Sequence, residues 1–236
     1  MVFCLLSLLA ANERLLSFTS AETLRYDVRY GPLRLGSLEL VTLAPDTVQA
    51  ETCYHFQATL TSTRALSFVF EATYDIETWC LMADMVTLRS YKKTEEKRYQ
   101  AEWYADYDYT RDTVRYDDGK EYPLADSARD LLTLWYYYRR LKMGPGDAAK
   151  TYAHIDRKDY RVEVKAIRKV RVRAPAGEFD CIELLPTASG PMGAVYLADD
   201  SSRVPVVIKT RVGGMVVSAY LRERNEPPDT SNQGEK

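Results

Sequence analysis

The stretch VEVKAIRKVRV, residues 162–172, decides the fold class. Its valines alternate with glutamate, lysine and arginine, which is the period-two pattern of a strand with one face in a core and one in water. The same signal recurs over residues 23–221 as short β-branched or aromatic runs, separated by turn residues such as Gly31 and Pro32. About a dozen such runs predict a mainly β fold, an antiparallel meander. So many strands curl, and we expect them to close into a barrel or half-barrel.

One segment has helical rather than strand periodicity. Apolar residues recur at helical spacing over residues 131–141, after a capping-box-like start at Ser127–Asp130. The sequence therefore predicts one amphipathic helix at about residues 127–142, packed on the barrel or plugging it. We expect Trp135 and Tyr138 to anchor this helix to the barrel, since both lie on its apolar stripe.

The N-terminus carries a short apolar run, Val2–Ala11. A helix needs about 20 residues to cross a bilayer, so this run fits the apolar region of a secretory signal better, with cleavage after Ala21; an N-terminal helix docked on the core is the alternative. We expect a signal peptide at 1–21, a single β-barrel-like domain at 22–224 and a disordered polar tail at 225–236. The mature chain is expected in the periplasm, without a transmembrane segment and with any envelope association peripheral.

Four stretches of the chain stand out by their order and spacing. They are LRYDVRYGPLRLGSLEL (24–40), DLLTLWYYYRRLKMGPGD (130–147), PAGEFDCIELLP (175–186) and VYLADDSSRVPVVIKTRVGGMVVSAYL (195–221). Taken together, they resemble the bacterial exported family called domain of unknown function 3108. The resemblance implies an exported, mostly antiparallel, β-barrel-like domain, and it assigns no activity.

Composition and motifs argue against several classes of function. The net charge is −2, with 32 basic and 34 acidic residues spread along the chain, so nucleic acid is not an expected partner. Metal-site spacings of cysteine and histidine, the GxSxG motif and nucleotide-binding glycine loops are missing from the sequence, and we expect neither a metal nor a cofactor. The two histidines, His55 and His154, have no adjacent serine or cysteine motif, and the sequence shows no partner that would orient His55 as a base.

Carboxylates make only a weak case for catalysis. Asp130 could pair with Asp199 or Asp200 as in a glycosidase, which would make the protein a cofactor-free hydrolase of envelope polysaccharide. Capping and turn preferences favour structural roles, with Arg203 in an ion pair. The residues expected to be structural are Asp130, Arg139, Gly144, Asp200, Arg203 and Pro205.

Aromatic side chains are the more suggestive feature, because the chain contains 18 tyrosines. Such rings could line a concave site for a sugar ring or an acyl chain, or they could simply cover the barrel wall. The predicted ligand-binding residues are Trp103, Tyr107, Trp135, Tyr137 and Tyr138. We expect non-catalytic binding of an apolar or glycan-like envelope component or of an envelope protein; a structural module that uses a sheet edge is a further alternative.

Three cysteines follow the N-terminal run: Cys53, Cys80 and Cys181. If residues 53–64 and 67–80 form a hairpin whose opposed residue numbers sum to 133, Cys53 faces Cys80 within disulfide distance. The periplasm is oxidising enough to join them. A shift of one residue in register would instead place the two thiols, both free, on opposite faces. Cys181 is expected to be a buried free thiol.

Overall fold

A computed structural model describes residues 18–63, 71–187, 192–212 and 215–225. Within these residues the chain forms 16 strands and the helix α1 (Leu131–Arg140). The predicted apolar signal run and nearly all of the predicted tail lie outside the described residues. The strands are β1 (Thr23–Tyr30), β2 (Leu33–Thr42), β3 (Asp46–Val48), β4 (Glu51–Ser62), β5 (Ala72–Leu81), β6 (Thr87–Glu96), β7 (Tyr99–Asp108), β8 (Thr113–Tyr116), β9 (Glu121–Pro123), β10 (Ala128–Arg129), β11 (Ala148–Ile155), β12 (Lys158–Ala174), β13 (Gly177–Thr187), β14 (Met192–Ala198), β15 (Pro205–Val212) and β16 (Met215–Asn225).

All the strands belong to one sheet, whose order is β10-β11-β12-β13-β14-β15-β16-β1-β2-β4-β5-β6-β7-β8-β9, with β3 paired to β4. Every pair is antiparallel except β10 with β11. Strands β9 and β10 are consecutive in the chain but lie at the two ends of this order, so the sheet bends back on itself. The two ends form no ladder with each other. The predicted mainly β meander with one helix is confirmed, in the half-barrel form.

Strand β12 shows how the sequence pattern produces the wall of the half-barrel. Val162, Val164 and Ala166 are buried, whereas the residues between them face outward. A bulge between Ala166 and Arg168 then shifts the register and leaves Ile167 45% exposed. Because bulges bend a strand and increase its twist, this long strand curves with the sheet.

The helix begins later than the sequence predicts. Ala128 and Arg129 form strand β10, which pairs in parallel with β11. Asp130 is the N-cap, and its carboxylate accepts a hydrogen bond from the backbone N–H of Thr133 at 2.8 Å. The predicted start at Ser127 is wrong because pairing with a distant strand takes the backbone of this segment, which a local capping pattern cannot reveal.

The helix packs inside the bent sheet over most of its circumference. Tyr138 is 1% exposed, as expected of an anchor, whereas Trp135 is only partly buried. Tyr136, outside the predicted stripe, is also buried, and its ring stacks on that of Phe56 with 3.6 Å between centroids. The buried helical residues are Leu132, Thr133, Leu134, Tyr136, Tyr138 and Arg139.

Arg139 forms a buried ion pair with Glu22, the residue before β1. Its Nη1 and Nη2 donate to the two carboxylate oxygens of Glu22 at 2.7 and 2.9 Å, and Nη2 also donates to the carbonyl of Ser202 at 3.1 Å. The two charged side chains are 3% and 7% exposed. The C-terminal end of the helix is thereby tied to the start of β1 and to the turn before β15.

That turn, between β14 and β15, contains Asp200 and Arg203, two of the residues expected to be structural, and a third, Pro205, is the first residue of β15. Asp200 accepts hydrogen bonds from the backbone N–H groups of Ser202 and Arg203 at 2.9 and 3.1 Å. The carbonyl of Pro205 accepts from the buried hydroxyl of Tyr26 at 2.9 Å. The expected ion pair of Arg203 is wrong for the described part of the chain: its Nε and Nη2 are buried without a hydrogen-bond partner, and burial lowers its pKa.

The loop after the helix contains Gly144. Its backbone N–H donates to the carboxylate of Asp147 at 2.8 Å, which closes a short turn before β11. The helix itself has already ended, because Leu141 is the C-cap. Gly144 therefore belongs to the loop and does not terminate the helix.

The predicted disulfide between Cys53 and Cys80 is wrong. In the β4–β5 hairpin Cys53 lies opposite Leu81, and Cys80 lies opposite Tyr54, one residue away from the register that the bond requires. A shift of one residue sends the two side chains to opposite faces of the sheet. Both thiols are free and buried, and burial raises the pKa of each. The buried free thiol expected at Cys181 is confirmed.

The buried pair of Arg139 and Glu22 yields a stability prediction. Arg139→Met should lower the free energy of unfolding by up to about 3 to 5 kcal/mol, because it removes both hydrogen bonds to the buried Glu22 carboxylate and leaves it only the ion pair with Arg224 at 3.7 Å. Adding Glu22→Leu should recover a large part of that loss, since the uncompensated charge is then gone. Urea unfolding of the single and double variants measures both effects.

An exposed ion pair provides the control. Arg171 and Asp180 lie 3.2 Å apart with side chains 70% and 72% exposed. Arg171→Met should therefore leave the free energy of unfolding nearly unchanged. Equal losses from Arg139→Met and Arg171→Met would contradict the assigned role of the buried pair.

Candidate functional site

A cleft opens between helix α1 and the sheet. Its inner part has a volume of about 240 Å³. Aliphatic side chains from the helix and the sheet form much of its surface, among them Ile76, Leu131, Leu132 and Ile155. Aromatic side chains complete the wall: Tyr91, Trp103, Tyr107, Tyr116 and Trp135. The inner cleft is thus a mainly apolar space with flat rings on several sides.

The cleft widens into an outer part of about 310 Å³. Lys92, Trp103, Tyr116 and Asp156 border both parts, so the two lie side by side. The outer part is more polar, and its remaining walls include Tyr74, Glu96, Tyr99 and Arg157. A molecule with an apolar body and a polar end matches this division.

The structure brings together three of the five predicted ligand-binding residues. Trp103, Tyr107 and Trp135 line the inner cleft. Tyr137 and Tyr138 do not, because successive helical residues are rotated by about 100° around the axis. The ring of Tyr137 lies 3.7 Å from the guanidinium of Arg129, and Tyr138 is buried against other parts of the sheet. Of the helical aromatics, Trp135 is the one directed to the cleft.

His154 joins the two ends of the bent sheet at the cleft wall. It lies on β11 and is 2% exposed. Its Nδ1 contacts Oδ1 of Asp159 at 2.6 Å, and its Nε2 contacts the hydroxyl of Tyr116, on β8, at 3.2 Å. Asp159 also accepts a hydrogen bond from the backbone N–H of Ala125. The imidazole is therefore fixed from both sides, although β8 and β11 are not paired strands.

The contact between His154 and Asp159 follows from the hairpin that joins β11 to β12. Asp156 and Arg157 have φ angles of 49° and 66°, so β11 and β12 join through a two-residue turn. Such a turn places His154 directly opposite Asp159. The Tyr116 contact has no such local origin, because it depends on the bending of the whole sheet.

Arg157, at the tip of this hairpin, also connects the two ends of the bent sheet. Its Nη1 donates to Asp118 at 2.8 Å and to the hydroxyl of Tyr122 at 3.0 Å. The guanidinium lies 4.5 Å from the centre of the Tyr116 ring, within the range of a cation–π contact. We call the junction between the two unpaired ends of the bent sheet the seam. Side chains from β11–β12 and β8–β9 close this seam, which backbone pairing leaves open.

The chemistry of the seam favours positioning over proton transfer. A histidine oriented by a carboxylate is the arrangement of a general base. Here, however, Nε2 faces Tyr116, and burial raises the pKa of that phenol to about 12, so the hydroxyl remains protonated at neutral pH. The network holds the ring of Tyr116 in the cleft wall.

Asp130 also borders the inner cleft, but its carboxylate is fully engaged. The hydroxyls of Thr78 and Thr87 and the backbone N–H of Thr133 all donate to it. Asp200, its proposed catalytic partner, borders neither part of the cleft. The carboxylate pair required for glycoside hydrolysis is therefore not assembled from these two residues.

Two other observations concern the rest of the described chain. His55 lies outside the cleft, stacked on Trp79 at 4.3 Å and in contact with Glu77 at 2.7 Å. Among the residues with described positions, no group of three His, Cys, Asp or Glu side chains could hold a metal ion. In the same residues, no helix has the length and apolar character needed to cross a membrane.

The bent sheet with its internal helix defines a class of β-barrel-like domain. A solved structure of this class, a β-barrel-like protein of the domain of unknown function DUF1849 from Brucella abortus, is similar to this chain with a TM-score of 0.58. The identity is 9%, over 87% of this chain and 97% of the other. This similarity concerns the fold alone.

The family follows from the sequence. The profile of DUF3108, described as a protein of unknown function, matches residues 25–220, and the chain belongs to this family. No curated protein matches the chain. Two further solved structures, a protein with a YmcC-like fold from Bacteroides fragilis and a proposed lipoprotein from Parabacteroides distasonis, have 10% identity and TM-scores of 0.40 and 0.35. Each alignment covers 88% of this chain and, respectively, 97% and 96% of the other.

The carboxyl of Asp130 should make stability depend on pH. Burial, opposed by its hydrogen bonds, raises the pKa of Asp130 above its ordinary value of 3.8. The stabilising contribution is therefore present below pH 3.8 and is lost as the pH rises through the raised pKa. Asp130→Asn keeps a capping oxygen but cannot titrate. As the pH rises from 3.8 through the raised pKa of Asp130, the free energy of unfolding of the wild type should therefore fall relative to that of Asp130→Asn. Urea unfolding of both proteins at a series of pH values measures the difference.

Asp200 provides the control of opposite sign. Although burial opposes the effect, hydrogen bonds from Ser202 and Arg203 lower the pKa of Asp200. The wild type should therefore gain unfolding free energy relative to Asp200→Asn as the pH rises. A difference between wild type and Asp130→Asn that does not change with pH would contradict the assignment of Asp130.

Proposed function

We propose that this protein is an exported, non-catalytic binding protein of the cell envelope. Its cleft would hold the apolar part of an amphipathic envelope component and leave the polar end at the mouth. The observation that carries this proposal is that an inner cleft lined by Trp103, Tyr107 and Trp135 lies directly beside a more polar outer part bordered by Lys92 and Arg157.

The hydrogen bonds of the inner cleft favour an apolar chain over a sugar ring. A sugar requires free donors and acceptors around it, because each buried hydroxyl without a partner is costly. Several polar groups of this wall already have protein partners: Ser90 lies 3.4 Å from the Tyr107 hydroxyl, and Asp130 and His154 have the partners described above. Stacking on the aromatic rings keeps a glycan as the second candidate ligand.

Two alternative functions receive less support. The hydrolase hypothesis loses the carboxylate pair expected from the sequence, since neither Asp199 nor Asp200 borders the cleft with Asp130. An interaction module that adds a strand to a sheet edge needs a row of unpaired backbone groups. The terminal strands β9 and β10 contain three and two residues and offer few such groups, and the longer open edge of β7 is limited to the part before Ala105, where pairing with β8 begins. Binding in the cleft is therefore the function we carry forward.

Export rests on the apolar run Val2–Ala11 and on the small residues before Glu22. Cleavage after Ala21 would keep Glu22 and its bond to Arg139. It would remove Phe18, whose ring packs against Phe56 with 5.3 Å between centroids. N-terminal sequencing of the chain purified from the envelope tests this proposal, and recovery of an intact Met1 from the soluble cytoplasm would contradict it.

Intrinsic fluorescence offers a direct test of ligand binding. The chain has three tryptophans. Trp103 and Trp135 line the cleft, whereas Trp79 packs on His55 outside it. In a Trp79→Phe protein, 12-bromododecanoic acid should quench the remaining emission saturably, because its bromine would lie beside the cleft rings. Chitotriose is the glycan probe. If this sugar shifts the tryptophan emission spectrum and the brominated acid does not quench it, the ligand is a glycan and not an apolar chain.

Two variants of the same helix form a matched pair. Trp135→Leu and Tyr138→Leu each remove one ring from α1, but Trp135 lines the inner cleft and Tyr138 does not. In the Trp79→Phe background, Trp135→Leu should weaken saturable quenching of Trp103 by the brominated acid, whereas Tyr138→Leu should leave it unchanged if the variant folds. Quenching that rises linearly with concentration, as for free tryptophan, would sink the proposal.

A further inference from the structure

Exposed apolar side chains concentrate at one end of the half-barrel. The tips of the β1–β2, β6–β7 and β15–β16 hairpins are turned to the same end by the strand registers. We call residues 29–34, 97–99, 211 and 215–216 the rim. The rim contains five of the nine exposed large apolar side chains of the described chain: Tyr30 (46%), Leu33 (51%), Tyr99 (57%), Met215 (45%) and Val216 (47%).

The charge of the rim is of one sign. Its residues include five Lys or Arg side chains and no Asp or Glu, in a chain whose net charge is −2. Every tip combines an exposed apolar side chain with at least one cation, and the cations are Arg29, Arg34, Lys97, Arg98 and Arg211.

Most of the acidic groups near the rim already have partners, and the exposed Glu71, whose carbonyl accepts a hydrogen bond from the backbone N–H of Lys97, adds one further carboxylate beside the second tip. Asp27, behind the first tip, bonds Arg29 and Arg34 at 3.2 Å each, so two cations share one carboxylate. Glu95 pairs with Lys93 at 2.8 Å, and Glu96 accepts a hydrogen bond from the Tyr74 hydroxyl. The outward field of the rim is therefore positive.

The rim also borders the mouth of the cleft. Tyr99, the most exposed of its apolar residues, is part of the wall of the outer cleft together with Glu96 and Arg157. A surface that contacts the rim would consequently lie beside the entrance to the cleft.

We propose that the rim docks on the surface of a lipid bilayer that contains anionic phospholipid. Aromatic and aliphatic side chains flanked by Lys and Arg are the composition of interfacial membrane contacts, in which the apolar tips enter the headgroup region and the cations meet the phosphates. Each of the three tips combines apolar residues with cations, whereas the core of a protein interface is depleted of charged residues, so this composition suits insertion among lipids better than a protein interface. A second copy of the chain would bring two positive rims together, and like charges oppose that contact.

Vesicle sedimentation with the full chain tests the proposal. The probes are vesicles of phosphatidylcholine alone and of phosphatidylcholine mixed with phosphatidylglycerol, at low and high ionic strength. The protein should sediment with the mixed vesicles at low salt and should be released at high salt. Lys97→Glu with Arg98→Glu should lower the partition coefficient by about tenfold or more, and Leu33→Ser with Tyr99→Ser should lower it as well.

Matched variants on the outer wall are the controls. Ile167→Ser with Leu185→Ser removes apolar residues that are 45% and 40% exposed, and Arg161→Glu with Lys165→Glu reverses two exposed charges of β12. These proteins should bind the mixed vesicles as the wild type does. All variants change exposed side chains, and thermal unfolding establishes that each is folded.

Three outcomes would overturn the proposal: equal sedimentation with both kinds of vesicle, unchanged binding by both rim variants, or a dimer in solution that the rim variants abolish. The last result would assign the rim to contact between copies. Quenching by 12-bromododecanoic acid in the Trp79→Phe background is read separately, and the charge-reversal variant should leave it unchanged. Failure of the rim and failure of the cleft are thereby distinguishable.

Discussion

A short connection constrains the whole sheet. Strands β9 and β10 are its two ends, and Pro123 and Ala128 are only five residues apart in the chain. An extended chain of that length spans at most about 18 Å. The other strands must therefore curve between two ends that cannot separate, and the sheet has to form a half-barrel. The ends still do not pair as strands, so side chains complete the junction: His154 bonds Tyr116, and Arg157 bonds Asp118.

The position of the helix follows from the same constraint. Helix α1 begins directly after β10, so the chain enters the concave space as soon as it leaves the edge of the sheet. At its beginning, Asp130 receives hydrogen bonds from threonines of β5 and β6, and at its end Arg139 binds Glu22. Both ends of the helix are thus fixed to the sheet by buried charged groups. Because removing one partner of such a group is costly, the helix has one position, and the space that it leaves free is the cleft.

Features that depend on neighbouring residues could be predicted from the sequence, and those that depend on distant strands could not. The alternation in β12 and the buried thiol of Cys181 reflect local pattern and composition, and both are present. The register of the β4–β5 hairpin depends on the length of its turn, which the sequence does not determine. The predicted register differs from the observed one by one residue, and this difference rules out the expected Cys53–Cys80 bond. The aromatic residues were identified as a group, but the rotation of the helix and the curvature of the sheet determined which of them meet. Tyr116 lies in the cleft wall because the whole sheet curves, and a curvature of this kind cannot be predicted from any short segment of the sequence.

The location of the cleft gives the seam a thermodynamic role. Tyr116 and Trp103 belong to one end of the bent sheet, and His154 and Asp156 belong to the other, yet all four border the inner cleft. A molecule bound there contacts both ends at once. Anything that binds the folded arrangement and not the separated one stabilises it in proportion to its affinity and concentration. Occupancy of the cleft would therefore add to the side-chain contacts that close the seam, and an open half-barrel is a form in which binding and closure reinforce each other.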